Sequence, residues 1–114
     1  MPTLYTRRFD LKDSLSDQDI VAHWRWLLNE FAPLVAKVTG VRSVKLYSRH
    51  GALRADLSIA AELDDAGVYE RLLVDSEVRK QLGRFYGAID LKTSEQAFRR
   101  EVTPELINAL SSTT

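Results

Sequence analysis

The stretch Leu53-Arg54-Ala55-Asp56-Leu57-Ser58-Ile59-Ala60 constrains the fold of this chain more than any other. Its odd positions are apolar, and Arg54, Asp56 and Ser58 alternate with them. A period of two belongs to a strand with one face in a core and one face outside it. The strand lies in an element order that reads strand, helix, strand, strand, helix, strand. That order predicts one sheet with both helices on the same side. The opposite face, with Arg54, Asp56 and Ser58, then has nothing of this chain to cover it, and function is expected there.

The neighbouring segments support the order. Thr3 to Leu11 mixes Leu, Tyr, Thr and Phe with two arginines and reads as the first strand, with Arg7 on one face and Arg8 on the other. Ser16 is a good helix N-cap, and Asp17 and Asp19 follow where the helix dipole favours negative charge. Ile20, Trp24, Leu27, Leu28, Phe31, Val35 and Val38 then form one apolar stripe at helical spacing. Pro33 removes a backbone donor and predicts a kink near Asn29 or Glu30. Gly40 is placed to end the helix. Val41 to Ser48 is the second strand, and Gly51 serves the turn into the third. The second helical region breaks near Asp75, because Asp75-Ser76 offers a fresh cap before Val78, Leu82, Phe85 and Tyr86. A fourth strand runs from Ile89 towards Val102, with an irregularity at Ser94-Glu95. Thr103-Pro104-Glu105 caps a short terminal helix, about residues 103–111.

Composition narrows the function. A chain of 114 residues, 45% hydrophobic, is expected to be a single domain that buries a core unaided. Sixteen basic and sixteen acidic residues cancel, so a dedicated nucleic-acid binder is not expected. There is no cysteine, which removes disulfides, thiolate nucleophiles and cysteine-ligated metals. No signal-peptide core opens the chain, and no apolar run approaches the ~20 residues of a membrane span. The expectation is a cytoplasmic protein with no membrane partner. No G-x-S-x-G, P-loop or G-x-G-x-x-G is present. Two histidines without an H-E-x-x-H do not suggest a metal site, and no cofactor is expected.

The βαββαβ order, with a long first helix and an interrupted second one, resembles the dimeric α/β-barrel superfamily. The stretch from His23 through Trp24, Trp26, Asn29 and Pro33 to Val35, followed by Gly40-Val41, looks like its first helix and turn. Asp75-Ser76-Glu77-Val78-Arg79-Lys80-Gln81-Leu82 looks like the second-helix segment of its antibiotic-biosynthesis monooxygenase-like branch. The resemblance covers roughly Leu4 to Val102. It implies an α+β, ferredoxin-like fold: a four-stranded antiparallel sheet with helices on one face, assembling as a homodimeric α/β barrel. The superfamily includes cofactor-independent monooxygenases, haem-degrading enzymes, muconolactone isomerases and proteins with no assigned reaction, so the fold does not settle function. Haem degradation there uses an axial histidine on the second helix, and Asp64 to Tyr86 contains none.

The candidate residues follow. His23, at the edge of the first helix's stripe, is the candidate base, since an unperturbed imidazole titrates near ~6.5; a histidine so placed more often caps a core margin or meets a neighbouring acid such as Asp17 or Asp19. Tyr47, Arg54 and Asp56 have the parity to meet on the uncovered face. There they would form either an anion-holding pocket or ordinary cross-strand pairs at an interface. Arg54 and Asp56, two apart, are expected to pair. Tyr69 and Tyr86 would line a cleft between helices and sheet, suited to a planar apolar ligand, or simply belong to the core. Trp26 points roughly 140° away from the centre of its helix's stripe and is the interface candidate. The reading is a homodimer that binds a small hydrophobic or aromatic molecule, with cofactor-independent monooxygenase-like chemistry. The alternative is a non-enzymatic interaction or regulatory module.

Overall fold

The computed structural model describes residues 2–112. Four antiparallel strands form one sheet: β1 (Thr3–Leu11), β2 (Val41–Tyr47), β3 (Leu57–Leu63) and β4 (Ile89–Arg99), in the order β2-β3-β1-β4. The helices are α1 (Asp17–Trp26), α2 (Ala32–Ala36), α3 (Val68–Val74), α4 (Ser76–Gly87) and α5 (Pro104–Ser111). Together these give the α+β, ferredoxin-like arrangement. No helix among the described residues is long and apolar enough to cross a membrane.

The alternation seen in the sequence is real, but the strand it forms is displaced. Leu57, Ile59, Ala61 and Leu63 are buried, while Ser58, Ala60 and Glu62 face the other way. The strand therefore begins at Leu57, not Leu53. Asp56 explains the boundary, because its φ of 57° is left-handed and cannot continue a strand. The Asp56 carboxylate holds that turn by accepting hydrogen bonds from Arg8 Nε (3.1 Å) and Arg49 Nε (3.2 Å). Its backbone N–H donates to Asp10 Oδ1 (2.8 Å).

Ser16 and Asp19 form a reciprocal capping box at the start of α1. The proline effect is also present, but as a π-helical turn over Leu27–Phe31 rather than a simple kink. Pro33 has no N–H to donate and its ring crowds the carbonyl four residues back. The ladder widens just before it, and Ala32 N–H donates to Leu27 O, five residues back. The wide turn keeps Leu27, Phe31 and Val35 on one buried face, although a spacing of four drifts roughly 40° per step in a straight α-helix. Leu28 falls outside that face and is 56% exposed.

Asp75 separates α3 from α4, and its side chain accepts from the Glu77 and Val78 N–H groups at 3.1 and 3.0 Å. On β4 the irregularity lies slightly earlier than Ser94-Glu95. Asp90 pairs with Asp10 and Glu95 with Arg8, so residues 91–94 bulge out opposite Phe9. Thr93 stitches the bulge: its hydroxyl donates to Asp90 O (2.7 Å) and accepts from Asp10 N–H (2.8 Å).

The core fills the space between the sheet and α1 to α4. The other face of the sheet carries Thr6, Arg8, Ser43, Lys45, Tyr47, Ser58, Ala60, Glu62, Glu95, Ala97 and Arg99, by the strand registers. No residue of α5 is buried. The molecule is elongated, 54 × 31 × 21 Å.

Candidate functional site

A cleft of about 70 Å³ opens between the covered face of the sheet and the helices. The sheet contributes Tyr5, Arg7, Ile59 and Ala61. The helical layer contributes Phe31 and Val35, then Tyr69 and Leu72 from α3, and Val78, Leu82, Phe85 and Tyr86 from α4. The walls are almost wholly apolar, and Arg7 is the one charged lining residue among those described.

Strand parity puts Arg7 there. Tyr5, Arg7 and Phe9 share the covered face of β1, so the guanidinium has to run along aromatic surface. It lies 5.3 Å from the centre of the Tyr86 ring. Neutral oxygens hold it. Nε donates to Tyr5 Oη (3.0 Å), Nη1 to Ser94 Oγ (2.7 Å) and Nη2 to Gln96 Oε1 (2.7 Å). No carboxylate among the described residues lies within ion-pair distance of it. Gln96 Oε1 also faces the Tyr5 and Tyr69 hydroxyls, at 3.4 and 3.3 Å. Burial pushes the Tyr5 phenol above its ordinary value despite the lowering effect of Arg7, so it is a neutral hydroxyl at neutral pH. For Arg7, burial works against the cation, but Tyr5, Tyr86 and Tyr69 together outweigh it and the pKa is raised.

The structure brings only part of the candidate set together. Tyr69 and Tyr86 line this cleft. Tyr47 is on the uncovered face, 53% exposed, opposite Ser58. Arg54 and Asp56 do not pair. Arg54 turns towards the first helix, donating to Lys12 O (3.2 Å), Leu15 O (3.0 Å) and Asp17 Oδ1 (3.3 Å). Asp56 turns the other way, to Arg8 and Arg49. The left-handed backbone at Asp56 breaks the alternation on which their common face depended.

Trp26 is a correction. It is 4% exposed, stacked on Phe31 at 5.0 Å, with the Arg84 guanidinium 4.8 Å from its ring centre. The stripe facing the sheet is not the whole buried arc of the first helix, because α4 packs beside it and covers its flank. Trp24, expected in the core, is half-buried instead, and its indole N–H donates to Leu53 O at 2.9 Å.

His23 is 7% exposed and 5.4 Å from Trp26. The rings of Trp26 and Phe31 stand between it and the cleft. Burial pushes its pKa below the ordinary 6.5, and the Arg84 charge adds to that. An imidazole that is neutral when folded and protonated when unfolded costs stability in acid. The unfolded chain takes up a proton below about pH 6.5, whereas the folded one does not until its own lower pKa. Stability should therefore fall as pH drops below about 6.5, and His23→Phe should remove that part of the slope. Urea unfolding at a series of pH values measures it, and parallel slopes for the two proteins would refute it.

The residue that sequence reasoning undervalued is Arg7. Its signal was present, since an arginine sharing strand parity with Tyr5 and Phe9 must be buried with them or distort the strand.

The sequence matches no family model and no curated protein. Solved structures do match. A dimeric protein of unknown function and ferredoxin-like fold from Bacteroides fragilis superposes with a TM-score of 0.72 at 11% identity, covering 88% of this chain and 96% of that one. SnoaB, a cofactor-independent oxygenase from Streptomyces nogalater, gives 0.69 at 15% identity over 90% and 97%. An antibiotic biosynthesis monooxygenase gives 0.69 at 9% identity over 90% and 100%. The chain thus has the ferredoxin-like α+β fold shared by these proteins, the fold that its helix and strand order resembles.

Proposed function

We propose that this protein binds a small, ring-shaped, largely apolar molecule in the cleft between sheet and helices, and that it does so as a homodimer. The aromatic lining, Tyr5, Phe31, Tyr69, Phe85 and Tyr86 around a single polar end, is the observation that carries the reading. The cofactor-independent oxygenase among its structural neighbours supports assigning it oxygenase-type chemistry on an aromatic substrate. The groups placed to touch such a substrate are Tyr5, Arg7, Tyr69 and Tyr86. His23 lies outside that circle.

The dimer is drawn from the uncovered sheet face. Its middle is small, with Thr6, Ser58, Ala60 and Ala97, so another flat surface can approach closely. Around these stand Arg8, Lys45 and Arg99 with Glu62 and Glu95, charges of both signs that a two-fold copy can match. The dimeric Bacteroides protein of the same fold supports this.

Titration with indole, a neutral single-site probe, tests the cleft, read by amide chemical shifts. Shifts clustered at Ile59, Ala61, Leu72 and Val78, and weakened at least about tenfold by Leu82→Trp, which fills the space, are the expected result. No binding at millimolar indole, or shifts elsewhere, would overturn it. Light scattering over a dilution series tests the dimer, and a monomer at micromolar concentration would refute that part.

The second reading, an interaction module, has its own observation. Val102, Ile107 and Leu110 are exposed along the C-terminal segment and α5. A monomeric solution mass together with no indole binding would favour it.

A further inference from the structure

We propose that the ligand of the cleft carries an anionic oxygen, a carboxylate or an ionised hydroxyl, which seats on the Arg7 guanidinium. The inference rests on the cleft being a ligand site and adds the chemical class of what enters it.

The hydrogen-bond inventory supports the assignment. A guanidinium has five N–H donors, and Arg7 uses three of its bonds on Tyr5, Ser94 and Gln96. These three bonds leave one N–H on each of Nη1 and Nη2, with the neutral Tyr69 hydroxyl close by. Gln96 Oε1 has two lone pairs, and three donors converge on it. Arg7 takes the short bond at 2.7 Å, and the tyrosine hydroxyls stand off at 3.3 and 3.4 Å. The polar end of the cleft is thus rich in donors and short of acceptors.

It is also short of negative charge. A half-buried guanidinium is ordinarily paired with a carboxylate, because removing its charge from water is costly. Arg8 shows the ordinary arrangement, with ion pairs to Asp10 (3.3 Å) and Asp56 (3.1 Å). Arg7, its neighbour on the opposite face, is oriented only by neutral groups. Those contacts fix the planar fork in place before any ligand arrives, which lowers the ordering cost of binding. Gln96 is exposed, so this polar end is also the end that reaches solvent. An anionic oxygen at Arg7 would leave the attached ring against Tyr86 and the apolar wall.

Calorimetric titration with benzoate and with benzamide, its neutral isostere, tests this. Benzoate should bind at least about tenfold more tightly, a charge-assisted contact replacing a neutral one. Arg7→Gln should bring the two affinities together. Spectrophotometric titration of 4-nitrophenol separates the two anion sources. A lowered ionisation pH in the presence of protein supports an ionised hydroxyl, and an unshifted one with benzoate still preferred supports a carboxylate. Equal binding of benzoate and benzamide to the native protein, with no shift of 4-nitrophenol, would overturn the inference. That comparison needs no variant to fold. If indole binds while benzoate shows no preference and 4-nitrophenol no shift, only the anion is refuted. If none of these molecules binds, the cleft reading itself fails.

Discussion

Phe85→Ala is expected to destabilise the protein by about 3–5 kcal/mol, the range for deleting a buried phenylalanine ring. Against a total stability of roughly 5–15 kcal/mol for a domain, that is enough to leave a large unfolded fraction. Phe85 is 3% exposed and stands where three parts of the core meet. Its ring stacks on Phe31 at 4.9 Å and meets Phe9 edge-on at 5.7 Å, tying α4 to the π-helical turn and to β1. Each aromatic contact adds to the area term, and neither neighbour can follow the lost ring without leaving its own place. Phe85 also forms part of the cleft wall, so its loss enlarges an existing space rather than opening a sealed one. A small aromatic molecule should therefore refill the space and restore stability in proportion to its concentration. Denaturant unfolding with and without millimolar benzene measures both effects. A loss below about 1 kcal/mol would mean that the aromatic junction does not hold the helices on the sheet.

Much of the architecture was legible because it rests on local rules. The capping box at Ser16, the Asp75 break and the alternation of Leu57, Ile59, Ala61 and Leu63 are each written in a few adjacent residues. Pro33 announced a disturbance whose form was not local. Whether the helix kinks or widens depends on keeping Leu27, Phe31 and Val35 against the sheet. Alternation alone extends β3 back to Leu53, although the strand starts at Leu57. The left-handed turn at Asp56 is stabilised by Asp10, Arg8 and Arg49, which come from other segments.

The site was less legible, for a physical reason. Periodicity says which residues face a core, but not what lies beside a helix within its own layer. The angle of Trp26 leaves the sheet-facing stripe and so predicts an interface position, yet α4 fills that angle with Arg84. The polar cluster expected on the uncovered face includes Tyr47, while Arg54 and Asp56 are drawn apart by partners in different segments, Asp17 for Arg54 and Arg8 and Arg49 for Asp56. Tyr69 and Tyr86 reach the cleft together with Arg7, whose place followed from β1 parity once the covered face was known.

Gly40→Ala is the second substitution with a large expected effect, and the structure separates its two causes. Gly40 has a φ of 97°, a left-handed conformation that costs an L-residue about 1–2 kcal/mol. A Cβ there would also stand 2.6 Å from Val68 Cγ2 and 3.2 Å from Val68 Cγ1. Val68 is buried and short, so it cannot swing aside as a lysine could. The collision adds about 1–3 kcal/mol. The backbone cannot relax freely either, because Gly40 O accepts from Asp64 N–H at 2.8 Å and ties the end of the first helical layer to the end of β3. A total loss of about 2–5 kcal/mol follows. Val68→Ala alone should also destabilise, by emptying a core position. Combined with Gly40→Ala, it should cost less than the two losses added together, because the collision vanishes while the backbone term remains. The double-mutant cycle should therefore show about 1–2 kcal/mol of favourable coupling. Strict additivity would assign the whole effect to the backbone and contradict the close approach of α3 to Gly40.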